Sequence, residues 1–155
     1  MYTNQNRDVF TTIALGFKAE RATATPPASA AGSIFTVSGG RVLVTRLFGE
    51  VTTAIQNQAC NLKVTVNPTT GTSGDVASNL DIDNDEAGTF YIVEGDGTAL
   101  IGVNAGTGWT AAGNPNAFIA PIGTIDIETS ATNTGSIKWT IFYFPLDEGA
   151  SVAAA

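Results

Sequence analysis

The chain contains no histidine and only one cysteine. Without imidazole it lacks the commonest general base and the commonest metal ligand, and with them the Ser–His and Cys–His nucleophile pairs. A single thiolate with no imidazole beside it does not make a zinc site. The lone Cys60 also forbids an internal disulfide. It sits on the apolar face of an alternating segment and reads as a buried thiol. Charge is scarce, at 14% of 155 residues against the usual quarter. That excludes exposed helices built on Glu–Lys pairs. No apolar run reaches the ~18 residues of a transmembrane helix, so no membrane partner is expected. The opening MYTNQNRDVF lacks the basic-then-apolar form of a secretory leader, from which synthesis in a cytoplasm without export is expected.

What is present is apolar and small-polar. Hydrophobic residues make up 43% of the chain, enough for a real core in one domain. Thr, Gly, Ala, Asn and Ser fill the space that charges leave, a composition that suits short strands and many turns. The net charge of −7 is uneven. Residues 1–48 hold Arg7, Lys18, Arg21, Arg41 and Arg46 against Asp8 and Glu20, a balance of +3, which leaves −10 for the rest. The acidic body opposes nucleic acid, whose phosphates supply most of such affinity. The mildly basic N-terminal part suits an acidic partner.

Strand signals become regular from Ser33. CNLKVTVN alternates cleanly, with Cys60, Leu62, Val64 and Val66 facing in. RVLVTRLFGEVTTAI reads as one long strand, with Val42, Val44 and Phe48 on one face and Leu43 and Leu47 on the other. Gly49 inside it suggests a bulge or bend. Ile125 and Ile127 face in, opposite Asp126 and Glu128. In the final strand Ile137, Trp139, Ile141 and Tyr143 share one face, and Lys138, Thr140, Phe142 and Phe144 share the other. No long stretch shows helical periodicity. Seven or eight short strands imply an all-β fold, an antiparallel β-sandwich that is jelly-roll-like or Ig-like. The sandwich is expected over residues 33–146, with 147–155 as a C-terminal tail. Residues 1–32 read as an extended N-terminal arm or linker, because ATATPPASAAG is of low complexity and Pro26–Pro27 forbid a helix there. A short apolar piece around Val9–Phe17 could pair as a strand.

Three patterns invite chemistry. In DIDNDE, Asp81, Asp83 and Asp85 have the alternate-carboxylate spacing of a calcium loop. The EF-hand form fails, since Glu86 stands where glycine is needed and Ile92 where a bidentate glutamate is needed. The three aspartates remain the only calcium candidates, beside the plainer reading of a solvated acidic loop. GTGWTA, residues 106–111, fits the letters of a dinucleotide turn, but Gly113 and Pro115 follow where a helix must begin. Asp126 and Glu128 form a carboxylate pair by spacing. A glycosidase would also need a cleft with aromatic platforms, for which Trp109 and Trp139 are available but read better as core or interface. No catalytic residue, cofactor or required metal is expected.

The runs IFTVSGGRVLVTRLFGEVTTAIQ, NLKVTVNPTTGT and APIGTIDIETSATNTGSIKWTIFYFPLDEGASVAAA resemble small virion proteins of tailed bacteriophages. They look most like the β-rich head decoration, or cement, proteins. The likeness covers about residues 33–155, and TGSIKWTIFYFPLDEGA carries most of it. It implies a structural protein made in the host bacterial cytoplasm that does no chemistry. Such a protein binds the outside of the capsid, on the major capsid protein, as a homo-oligomer (a dimer or trimer) with an extended arm along the shell. The alternative is a carbohydrate- or receptor-binding β-sandwich module of a phage tail or fibre. No family site residue carries over one by one.

The residues themselves supply the candidate contacts. The second half of the last strand is apolar on both faces. One side fits the core, and the other fits a symmetry mate, the shell, or cover within the chain. The Phe142 and Phe144 face is the expected interface, because it is polar at one end and apolar at the other. Arg7, Lys18 and Arg21 on the arm are the expected basic contacts.

Overall fold

The computed structural model describes residues 4–105 and 116–155, without the side chains of residues 4–7 and 10. One helix, α1 (Asn4–Leu15), precedes eleven strands. These are β1 (Phe17–Ala24), β2 (Ala31–Ser38), β3 (Val42–Thr53), β4 (Asn61–Pro68), β5 (Gly74–Asp81), β6 (Phe90–Ile92), β7 (Ile101–Val103), β8 (Phe118–Ala120), β9 (Gly123–Thr129), β10 (Ser136–Pro145) and β11 (Ser151–Ala154). They form two antiparallel sheets packed as a sandwich, ordered β1-β10-β3-β6-β7, with β8 also on β3, and β11-β2-β9-β4-β5. The all-β sandwich expected from the alternation is therefore the fold. No helix among the described residues is long and apolar enough to cross a membrane.

The core lies between the sheets. Ile34, Phe35, Leu62, Val64 and Ile125 enter from one sheet, and Leu47, Tyr91, Ile137, Trp139 and Ile141 from the other, each at most 2% exposed. Burying each such side chain contributes ~1.5–3 kcal/mol. Cys60 is buried as expected.

In the larger sheet β10 lies between the edge strand β1 and the central strand β3. Trp139 pairs directly with Gly49 of β3. A Cβ on Gly49 would stand 3.1 Å from the Trp139 ring and 3.0 Å from Ile137 Cγ2. Glycine is thus required by the close approach of an aromatic side chain, and the ladder runs unbroken through this pair. One bulge lies at Thr52, between Ser136↔Thr53 and Ile137↔Val51, and another at Thr45, where the register jumps between Phe142↔Arg46 and Tyr143↔Val44. The extra residue changes the phase of β3. Leu47 therefore faces the core, while Phe48 lies outside with Leu43, the reverse of the sequence expectation for those two residues.

Both chain ends differ from expectation. Asn4–Leu15 is a helix where a short strand around Val9–Phe17 was expected. It is free of Gly and Pro, and it stops at Gly16, whose φ of +97° suits a left-handed helix end. The Gly16 N–H donates to Thr12 O at 2.9 Å. Much of the expected arm belongs to the sandwich, since Phe17–Ala24 pairs with β10 from Phe17↔Tyr143 to Ala24↔Ile137. The unpaired edge of β10 supplies the reason: its backbone groups need partners. Pro26 and Pro27 fall in the link to β2, outside any ladder. The expected tail also ends in a strand, β11, which covers the edge of β2 from Ser151↔Ser38 to Ala154↔Phe35. Other edges are closed as well. Ser78 N donates to Thr98 O and Leu100 N to Ser78 O, so the segment before β7 caps β5, while β1 touches β11 on the opposite side.

Arg41 and Asp147 fasten the turn after β10 to the start of β3. The Arg41 main-chain N–H donates to Asp147 Oδ2 at 2.7 Å, Nε to the same oxygen at 2.9 Å, and the guanidinium to Oδ1 at 2.8 Å. These bonds hold the Asp147 carboxyl well below the usual carboxylate range.

Two outcomes are expected. Gly49→Val forces bulk against Trp139 and should lower unfolding stability by about 1–3 kcal/mol in denaturant titrations; an unchanged midpoint would contradict the packing. The pKa of Asp147 lies lower in the folded than in the unfolded chain, so the clasp stabilises at neutral pH and its contribution is lost as pH falls through the acid range. The melting-temperature gap between the wild type and Asp147→Asn should therefore shrink from about pH 6 to about pH 2. A gap that stays constant would show that the clasp contributes no pH-dependent stability.

Candidate binding interface

The two outer faces of the sandwich differ. On the five-stranded sheet Lys63 stands against Asp75, Asp81, Asp126 and Glu128, so its strands carry −3. Its outer side is tied up in polar bonds. Lys63 Nζ reaches Glu128 at 3.0 Å and Asp75 at 3.5 Å, and these partners raise its pKa, the hydrogen bond to Glu128 most. Thr65 donates to Asp75 at 3.0 Å, and Asn67 Nδ2 to Asp126 Oδ2 at 3.3 Å.

On the six-stranded sheet Lys18, Arg21, Arg46 and Lys138 stand against Glu20 and Glu50, so its strands carry +2. Its outer side is largely apolar. Cross-strand pairing makes one row of Phe144, Leu43 and Ile119, and another of Thr140, Phe48, Ile92 and Ile101. The rings of Phe48 and Phe90 lie 6.2 Å apart. The exposed large apolar side chains are Val9, Ile13, Phe17, Ile101 and Ile119, with Ile122 and Leu146 in turns. Among the described residues, then, each lies on α1, on a strand of this sheet, or in a turn beside one of its strands. Val9 and Ile13, four residues apart on α1, are 56% and 71% exposed. They form an apolar helix ridge that is open among the described residues.

Charges on this face are partly paired. Glu20 takes Lys18 at 2.9 Å and Lys138 at 3.1 Å, and those hydrogen bonds, Lys18 first, lower its pKa. Arg46 donates only to the neighbouring Thr45 carbonyl at 2.7 Å. Neither Arg46 nor Glu50 has an ion-pair partner among the described residues.

The expected contact residues do not form one patch. Phe142 is 9% exposed within the single chain, so it is not the open apolar surface expected of it. The end of α1 lies close by, with the Thr45 hydroxyl joining Leu15 O to Phe142 O. Phe144 is half-buried, and the open area passes from it to Leu43 and Ile119. Lys18 is engaged with Glu20. Arg21 pairs with Trp139 across the ladder, and its Nε is buried without a hydrogen-bond partner. The Arg7 side chain lies outside the described residues. The sequence reading missed Leu43, Arg46, Phe48, Glu50 and Ile119 as surface residues. Period-two spacing in RLFGE was the available signal for Arg46, Phe48 and Glu50, once the bulge at Thr45 is allowed for.

The candidate chemical groups are held apart. Tyr91 OH donates to Asp85 Oδ2 at 2.7 Å, which turns Asp85 inward, away from a shared cage with Asp81 and Asp83. Burial raises the pKa of Asp85, with the Tyr91 bond opposing and the Asp81 and Asp83 charges adding. Asp81 is used locally, accepting from Asp83 N at 3.1 Å. Among the described residues no three His, Cys, Asp or Glu side chains come together as a ligand set. Asp126 is bound by Asn67, and Glu128 by Lys63. Trp139 is fully buried, and Trp109 with the GTGWTA run lies outside the described residues.

Tyr91→Phe should leave the half-buried Asp85 without its donor and cost about 1–3 kcal/mol of stability. Millimolar calcium should raise the melting temperature of neither protein. A calcium-dependent rise of several degrees in the wild type, abolished by Asp83→Asn, would make the acidic loop a metal site after all.

Comparison with known proteins assigns no family to this geometry: no family model, curated protein or solved structure matches the chain.

Proposed function

We propose that this chain is a structural virion protein, a decoration protein that binds the outer surface of a phage head and stabilises the shell without doing chemistry. The observation that carries the proposal is the sidedness of the sandwich. One sheet presents a polar, ion-paired, acidic face, with −3 on its strands. The other presents cross-strand rows of Phe, Leu and Ile, with +2 on its strands. A protein that clothes a particle needs one side that meets protein and one that meets water, and apolar area gathered on one side marks the first. The capping of β10, β2 and β5 suits the same role, because a high-copy coat component with long open edges would aggregate through them. The ridge of Val9 and Ile13 extends the apolar side beyond the sheet and takes the place of the extended arm as the element that reaches the shell. The net charge of −7 speaks against nucleic acid as the partner. The proposed partners are the major capsid protein and further copies of this chain, on the exterior of a virion made in a bacterial cytoplasm.

The test uses emptied shells built from the major capsid protein encoded beside this gene. The wild-type protein should co-sediment with them at high copy. The double variant Val9→Glu, Ile13→Glu should stay folded, because both sites are exposed, and should bind at least about tenfold more weakly. Absence of wild-type binding, or retention on a glycan array instead, would overturn the proposal.

A further inference from the structure

Two side chains of opposite charge on the outer face of β3, Arg46 and Glu50, have no ion-pair partner among the described residues. Phe48 lies midway between them on the same face, and all three are partly exposed. Lys138 sits directly across the ladder from Glu50, yet it gives its ammonium to Glu20 at 3.1 Å. Arg46 lies across from Phe142, which offers no charge. In a chain with twice as many acids as bases, an arginine without a carboxylate is a residue to account for.

The spacing of the three residues is self-complementary. Arg46 and Glu50 lie two residues either side of Phe48, each about 7 Å away along the strand. A two-fold axis lying across the strands at the level of Phe48 would set β3 antiparallel over its mate. Phe48 then meets Phe48 of the second copy, Arg46 meets Glu50, and Glu50 meets Arg46. Facing sheets stand about 10 Å apart, a gap that an arginine and a glutamate can bridge. The other two-fold axis in that plane runs along the strand. It would set arginine on arginine and glutamate on glutamate, and like charges reject it. Glu20, the only other acid on these strands, is already held by Lys18 and Lys138.

The global charge selects the same side. Two copies at −7 repel each other, and least where the surplus acid is absent. The strands of this sheet carry +2. Around the charges lies apolar area to bury, with the Phe90 ring 6.2 Å from Phe48 and Ile101 at the open end of its row. We propose that the outer face of β3 pairs two copies of this chain about a two-fold axis at the level of Phe48, with reciprocal Arg46–Glu50 ion pairs. The pairing holds whether or not the outside partner is a phage shell.

Sedimentation equilibrium of the full chain, between about 1 and 100 µM, tests it. The wild type should sediment as a dimer. Arg46→Glu and Glu50→Arg each create two like-charge contacts and should each raise the dimer dissociation constant at least about tenfold. The double variant Arg46→Glu, Glu50→Arg restores both pairs and should return the constant to within about threefold of the wild type. A wild-type monomer or trimer would overturn the proposal, as would single variants that dimerise normally or a double variant that does not recover. A second route does not depend on charge. Phe48→Cys treated with a short bismaleimide should give a covalent dimer, while Thr65→Cys on the opposite sheet should not, and the buried Cys60 does not compete. Absence of the Phe48→Cys cross-link, or equal linking at both sites, would equally rule the two-fold out.

Discussion

The contact of Trp139 with the bare backbone of Gly49 fixes the larger sheet. The indole fills the space that a side chain at position 49 would take, and so draws β10 and β3 into one register. With that pair set, Ile137, Ile141 and Tyr143 turn into the core beside Trp139. Thr140 and Lys138 turn outward with Phe48 and Glu50 of β3. β1 then has a defined edge to join, and its Ala19 packs on the core opposite Ile141. The bulge at Thr45 follows from the same register, since an unbroken β3 could not present Val44 and Leu47 both inward.

That register also makes the molecule two-sided. The outward positions of β3, β10, β6 and β8 include Leu43, Phe48, Phe144, Phe90 and Ile119 beside Arg46, Glu50, Lys138 and Thr140, while those of β4 and β9 include Lys63, Thr65, Asp126 and Glu128. A polar outer face whose Lys63, Asp75 and Glu128 are already paired with one another has less to gain from a partner. An apolar one with a net positive balance gains by meeting a surface that is apolar and acidic. A coat role on the one hand and pairing through β3 on the other are two uses of this one asymmetry.

The sequence revealed those parts of the fold in which a strand carries its own alternation. Cys60 to Val66 and Ile125 to Ile127 read correctly because large apolar residues stand at every second position and their neighbours are polar. β1 and β11 did not read as strands. In FKAERATA the inward Ala19 and Arg21 are small or charged, since Trp139 and Ile141 across the ladder supply the bulk, and SVAA brings only Val152 to the core, opposite Val37. A strand that fills out a partner's surface leaves little trace in its own letters. The helix was hidden for a related reason, because Val9 and Ile13 face outward and spoil the one-sided pattern by which a surface helix is recognised. The phase of Phe48 was lost at a bulge that only pairing reveals. At the acidic loop the aspartate spacing was read correctly, but the buried hydroxyl of Tyr91, which claims Asp85, depends on tertiary placement.

The chain has three lysines, which report on the two faces separately: Lys18 and Lys138 on the six-stranded sheet and Lys63 on the five-stranded one. Amine labelling with mass spectrometry, comparing intact virions with the dilute free protein, therefore tests the sidedness directly. The account predicts strong protection of Lys18 and Lys138 on the particle and unchanged labelling of Lys63. Protection of Lys63 with Lys18 and Lys138 still open would contradict it, and would place the working face on the acidic sheet.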